Sequence, residues 1–137
     1  MSIPKIFLAL FLFISVTQIS CKKDSDASIV GKWTLESYRE KISSPSGSDE
    51  DIFPGEGETS EFRSDGTGLR CSSGGCQSGY YRVSGKTLTV SATLDFTDAD
   101  TYTIQTLTSN KLVLYSTFTD TDGGQTVTYE YWDTFTR

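Results

Sequence analysis

"KTLTVSATL", residues 86–94, alternates without a break: Leu88, Val90, Ala92 and Leu94 fall on one side of an extended chain, and Thr87, Thr89, Ser91 and Thr93 on the other. A two-residue period marks a strand with one face buried and one in water, because successive side chains of an extended backbone point to opposite faces. The segments around it read the same way. "SGYYRVS" (78–84) precedes it, and "DTYTIQTLT" (100–108) and "KLVLYSTFT" (111–119) follow, joined by Ser109-Asn110. Further out lie "GKWTLESYREK" (31–41), "ETSEFRS" (58–64), the short "GLR" running into Cys71, and "GQTVTYEYWDTFTR" (124–137). Turn chemistry such as "DGTG" and "DTDGG" separates them, and Thr, Tyr, Val and Phe are abundant, as strands prefer. No segment after position 30 carries a helical period, and at most a single turn around Ala27–Val30 precedes the first strand. The polar stretch "ISSPSGSDEDIFPGEG" (42–57), interrupted by Pro45 and Pro54, reads as a loop. Eight strands with hairpin-length connections predict an all-β fold, an eight-stranded antiparallel up-and-down β-barrel rather than a sandwich, since closure removes exposed edges.

The N-terminal residues belong to something else. Met1–Lys5 carries one positive charge, and "IFLALFLFISV" (6–16) is apolar but shorter than the ~20 residues a spanning helix needs. This is the pattern of a secretory signal peptide. "TQIS" then leads into Cys21, and Ile19-Ser20-Cys21 resembles a bacterial lipobox, with Gln18 standing where Leu is usual. The resemblance implies cleavage after Ser20 and acylation of Cys21, which becomes a lipidated N-terminus. At ~0.8 kcal/mol per buried CH₂, two or more acyl chains anchor a protein stably. "KKDSDAS" is then a polar tether, with Lys22 and Lys23 placed to meet anionic headgroups. The expected organisation is a signal peptide over 1–20, a lipidated tether over 21–27 and a barrel over 28–137.

Composition narrows the function. The chain of 137 residues has a formal charge of −6, which becomes −7 once the leader with its single Lys5 is removed. An acidic domain does not suit nucleic acid, which needs a concentrated basic surface. There is no His, which removes the usual general base near neutral pH, the serine and cysteine triads and most zinc sites. No catalytic residue, metal site or cofactor is assigned, and a non-enzyme is expected. The acidic set Asp49, Glu50, Asp51, Glu56 and Glu58 lacks EF-hand spacing, and "DTDGG" (120–124) has Tyr131 where a calcium loop needs Glu. Cys71 and Cys76, in "CSSGGC", are the two cysteines left once Cys21 is acylated. Small, flexible residues between them allow a structural disulfide, worth about 2 kcal/mol for so short a loop.

The barrel segments resemble the lipocalin-like family of bacterial lipoproteins. Gly31-Lys32-Trp33 matches the Gly-x-Trp signature that opens a lipocalin barrel, and "EFRSDGTG", "YYRVSGKTLTV" and "YTIQTLTSNKLVLYS" are similar to its later strands and hairpins. The resemblance spans roughly residues 28–137. It implies that Trp33 plugs the closed end, that Arg137 packs across its ring in a cation–π contact worth about 0.5–2 kcal/mol, and that the 42–57 connection is a lid into which Ile52 and Phe53 tuck. Lipoprotein processing implies the cell envelope of a Gram-negative bacterium. Lys22, where enteric inner-membrane lipoproteins carry Asp, favours the outer membrane over the inner.

Rings and aliphatic side chains make up a candidate pocket. Tyr102, Phe118, Tyr129 and Tyr131 supply rings, alternation puts Leu88, Val90, Ile104, Leu112 and Leu114 with them as aliphatic walls, and the lid that the resemblance implies adds Phe53. Eight strands enclose just enough space to be filled by side chains or to hold one small ligand. The expectation is a membrane-anchored barrel binding a small apolar molecule. The alternative is a filled barrel acting through an unknown protein partner, for which an outer patch at Val113, Tyr115 and Trp132 would serve.

Overall fold

The computed structural model describes residues 27–137 and contains nine β-strands among them, with no helix. They are β1 (Gly31–Ser44), β2 (Gly47–Pro54), β3 (Thr59–Phe62), β4 (Thr67–Ser72), β5 (Gly75–Ser84), β6 (Thr87–Ser91), β7 (Asp100–Leu107), β8 (Lys111–Asp122) and β9 (Gln125–Thr136). Every neighbouring pair is antiparallel. The sheet closes where β1 pairs with β9, from Thr34↔Thr136 to Ser43↔Thr128. The closed ring is β1-β3-β4-β5-β6-β7-β8-β9, eight strands in an up-and-down order. Cys21, the expected signal peptide and all but the last residue of the expected tether lie outside the described residues. Before β1 the chain makes a bend at Ile29 and no turn of helix.

The ninth strand corrects the reading of 42–57 as a loop. β1 continues to Ser44, Pro45 and Ser46 make a two-residue turn, and β2 runs back along β1 from Ser44↔Gly47 to Ser37↔Pro54. Both prolines sit where their missing N–H costs nothing: Pro45 in the turn and Pro54 at the end of an edge strand. β2 and β3 follow the same edge of β1, interrupted by residues 55–58. There Gly55 N–H donates to the Glu36 carbonyl and Leu35 N–H to the Glu58 carbonyl, both at 2.8 Å. The expected lid is therefore a hairpin wall standing above the ring.

β6 is shorter than its alternation suggests. It ends at Ser91, leaving Ala92 exposed and Leu94 72% exposed, off the buried face. The Ser91 hydroxyl accepts from Thr93 N–H at 3.1 Å, and the Thr93 hydroxyl donates to Asp95 at 2.7 Å. Side-chain bonds of this kind offer the backbone an alternative to the sheet ladder.

One end of the barrel is solid. Trp33 and Leu112 are fully buried there, in a cluster with Ile29, Ile104 and Phe135. Trp33 Nε1–H donates to the Ile29 carbonyl at 2.7 Å, so the indole's one polar atom is satisfied. The Arg137 guanidinium lies 4.1 Å from the Trp33 ring centre. It donates to the carbonyls of Ser109 (2.6 Å), Val30 (2.8 Å) and Ser28 (3.3 Å), tying the last residue to the segment ahead of β1 and to the β7–β8 turn. Gly31 makes room for this: a Cβ there would stand 2.6 Å from Arg137 Nη1, and its φ of +132° disfavours any side chain. Cys71 and Cys76 form a disulfide across the β4–β5 hairpin, where they are direct cross-strand partners with Cα atoms 4.0 Å apart.

Candidate functional site

Directly paired residues in a sheet share a face, so the register gives the inner surface row by row. The row Trp33–Ser60–Arg70–Gln77 crosses β1, β3, β4 and β5. On the far side Phe53–Tyr38–Asp133–Leu114–Ile104 crosses β2, β1, β9, β8 and β7. The row above it is Asp51–Glu40–Tyr131–Ser116, and above that stand Ile42, Tyr129 and Phe118. Cys71 and Cys76 alternate with Arg70, Ser72 and Gln77, which puts the disulfide on the outer face.

Two connected spaces lie inside. The inner one, about 340 Å³, is walled by Phe62, Tyr81, Leu88, Val90, Leu114 and Phe135, with Arg70, Asp100, Tyr102 and Asp133 on its polar side. The outer one, about 450 Å³, is bounded by Leu35, Tyr38, Phe53, Glu58, Ser116 and Tyr131. Arg70, Tyr102 and Asp133 line both, so the two spaces meet at these side chains, a collar at which Arg70 is open to solvent.

The predicted pocket residues divide accordingly. Leu88, Val90 and Leu114 wall the chamber, Tyr102 sits in the collar, and Phe53 and Tyr131 bound the vestibule. Ile104 and Leu112, expected on the pocket wall, are packed into the cluster around Trp33 instead, because the closed end is filled at their level. Phe118 and Tyr129 stand at the rim, stacked with ring centres 4.6 Å apart, and Phe118 is 52% exposed. The rings continue as a ladder: Phe118 to Tyr131 at 5.9 Å, Tyr131 to Tyr38 at 5.7 Å and Tyr38 to Phe53 at 6.0 Å.

Tyr38 was not among the expected residues, and the reason is local. A bulge between Leu35 and Ser37 inserts one residue against β9 and reverses the alternation that Trp33 sets, so Tyr38 points inward. Asp133 also escaped, although it keeps step with Tyr129 and Tyr131; an acid on a barrel's inner face is not what an apolar pocket suggests. Nothing in "GLR" marks Arg70 as an inner residue.

The collar's electrostatics follow from this placement. The Arg70 guanidinium pairs with Glu58 at 3.1 Å. Asp133 has no hydrogen-bonding or ion-pairing side chain among the described residues. Burial raises its carboxyl above the ordinary carboxylate range, with Arg70 pulling down and Glu58 pushing up. The Tyr38 hydroxyl is pushed up to about 12, by burial first and then by Glu40, Tyr131 and Asp133. Burial, then Asp100 and Asp133, likewise raise Tyr102, against Arg70. Both phenols, Tyr38 and Tyr102, are therefore neutral at physiological pH, in a field that is negative overall.

The outer face offers less. Trp132 and Tyr115 pack at a tilt with ring centres 5.1 Å apart, but the Arg39 guanidinium covers the Trp132 ring at 3.7 Å, and Tyr115 donates to Glu130 at 2.9 Å. Val113, Tyr115 and Trp132 are all half-buried. Among the described residues no three of His, Cys, Asp or Glu are grouped to hold a metal ion.

In comparison with known proteins, the family model of the lipocalin-like domain matches residues 29–114, which reach from the bend before β1 into the start of β8. No curated protein and no solved structure matches the chain.

Proposed function

Since the chain belongs to the lipocalin-like domain family, whose barrels are generally associated with binding small ligands, we propose that this barrel takes up a small molecule with an apolar body and carries out no reaction on it. The chamber of about 340 Å³ behind the collar carries this reading. A barrel whose purpose was only structural would gain by covering its apolar wall with its own side chains, since apolar surface left in contact with water costs free energy. Transfer of an apolar body into it is favourable at roughly 25 cal/mol per Å² removed from water. Tyr102, Tyr131 and Tyr38 supply hydroxyls to orient a polar end.

The test uses the chain from Lys22 onward, which retains every described residue. Titration with a fluorescent apolar probe is expected to saturate at one site per chain, and Val90→Trp, which fills the chamber, is expected to abolish binding while the protein stays folded. Linear, non-saturating fluorescence in the parent chain would refute the pocket.

The same proposal places the barrel on a membrane, held in the Gram-negative envelope by acyl chains on Cys21, with the outer membrane favoured. The abrupt change from the apolar run 6–16 to Cys21-Lys22-Lys23-Asp24 supports it. Full-length protein is expected to incorporate labelled palmitate and to pellet with membranes, and Cys21→Ser to do neither. Unlabelled, soluble full-length protein would rule the anchor out.

A further inference from the structure

We propose that the ligand is an organic cation, an ammonium group carried on an apolar body, with the ammonium held at the collar by Asp133 between the rings of Tyr38, Tyr131 and Tyr102 and the body in the inner chamber. This rests on the ligand-binding reading above and gives it a head-group chemistry.

The inner face is one-sided in charge. Glu40 and Asp51 lie in the row next to Asp133, Glu58 and Asp100 border the two spaces, and all are acids. The one basic side chain bordering either space is Arg70, and it is engaged by Glu58 at 3.1 Å. Lys32, Arg39, Lys41 and Lys111 fall on the opposite parity and face out. Asp133 is thus a half-buried acid pointing into a cavity, with no cation within ion-pairing distance among the described residues.

A carboxylate in that position costs free energy unless something pairs with it. An incoming ammonium supplies the pair. It also gains from the aromatic faces, because ring quadrupoles attract cations at close range. The Tyr38–Tyr131 stack stands beside Asp133 in the register, and Tyr102 reaches the collar from β7, two strands along the ring from β9. An anionic head group meets the same acids as repulsion. A neutral one leaves Asp133 unpaired. The apolar walls Phe62, Leu88, Val90 and Leu114 lie directly behind, at the right depth for the remainder of such a molecule.

The proposal also sets a pH dependence. The groups facing Asp133 are Tyr38 and Glu40 from β1, Arg70 from β4, Tyr102 and Asp100 from β7, Glu58 ahead of β3, and Tyr131 on its own strand; β8 presents only Leu114 and Ser116. Because burial holds the Asp133 carboxyl above the usual range, cation affinity falls on acidification earlier than an exposed Asp would make it. The linkage to stability has the opposite sign to that of a paired acid. The folded state holds this proton more tightly than the unfolded one, so the carboxylate's cost appears as pH rises through the folded pKa and is absent below the unfolded one. Asp133→Asn is therefore expected to leave the protein at least as stable at pH 7.

The experiment compares three probes of similar shape on the chain from Lys22: phenethylammonium, 2-phenylethanol and 3-phenylpropanoate, by isothermal titration at pH 7. The ammonium is expected to bind at least about tenfold more tightly than the alcohol, as one charge-assisted contact allows, with the carboxylate weakest. In Asp133→Asn, ammonium and alcohol are expected to bind alike, and heat denaturation to show no loss of stability. Equal binding of ammonium and alcohol by the parent chain would overturn the head-group proposal while leaving the pocket in place. Binding of none of the three, together with no saturable apolar probe, would overturn both.

Discussion

Replacing Trp33 with Ala is expected to lower the free energy of unfolding by about 3–5 kcal/mol, read from urea titration of the chain from Lys22. Loss of a large buried side chain removes its transfer free energy and leaves a cavity that the surroundings only partly close. Trp33 is fully buried, so the whole ring counts. Its removal also orphans what it organises. The Ile29 carbonyl loses its donor, and the Arg137 guanidinium loses the ring beneath it while still holding the carbonyls of Ser109 and Val30. Arg137→Ala should then act partly through the same contact, so the double variant is expected to be less destabilised than the two single effects combined. A loss below about 1 kcal/mol for Trp33→Ala would mean that the closed end does not depend on this plug.

The second large effect is expected at Gly55. Its Cα faces the backbone of β1 so closely that a Cβ would overlap the Leu35 carbonyl oxygen and carbon, and no side chain can move aside to relieve it. Gly55→Ala is expected to cost about 3 kcal/mol, the upper end of what overpacking does, because a backbone segment has to shift. The damage should be local in kind. Residues 55–58 carry the chain from β2 to β3, and the hydrogen bonds Gly55 N–H to Glu36 and Leu35 N–H to Glu58 fix that crossing. Hydrogen exchange is expected to accelerate first at the amides of Leu35 and Gly55, ahead of β7 and β8. Gly47, also in this hairpin, has open space around its Cα, which makes Gly47→Ala the comparison for backbone conformation without the clash.

The barrel was legible because the signals that make it are local. Alternation in 86–91, 100–104 and 111–118 was enough to place Leu88, Val90, Tyr102 and Leu114 on one face, and their cross-strand partners keep that assignment. Where the sequence misleads, a residue has been added or withdrawn from the period. The bulge at Leu35–Ser37 turns Tyr38 inward, and alternation counted from Trp33 has no means of detecting it. The strand that ends at Ser91 leaves Leu94 outside, because hydroxyl and carboxylate hydrogen bonds within 91–97 take the place of the ladder. The 42–57 stretch is polar because β2 is a solvent-exposed edge strand, so composition alone resembles a loop.

The site divides along the same line. The aromatic and aliphatic walls follow from period two, and six of the ten expected pocket residues border one of the two spaces. The collar does not, since Arg70, Glu58 and Asp133 come from three distant segments and meet only when the ring closes. Asp133 in particular sits on β9, beyond the residues that the family match covers. A ligand chosen from the walls would be purely apolar; the collar is what asks for a charge.

The most direct measurement is to locate a bound probe by methyl NMR. The chain from Lys22, labelled at Leu, Val and Ile methyls, would be titrated with phenethylammonium and, separately, with an apolar fluorophore. Binding inside the barrel requires saturable shifts at Val90, Leu88 and Leu114, with Val113 one residue away on the outer face left in place. Shifts confined to Val113, or none that saturate at any inner methyl, would contradict a ligand-binding interior and return attention to the barrel's outer surface.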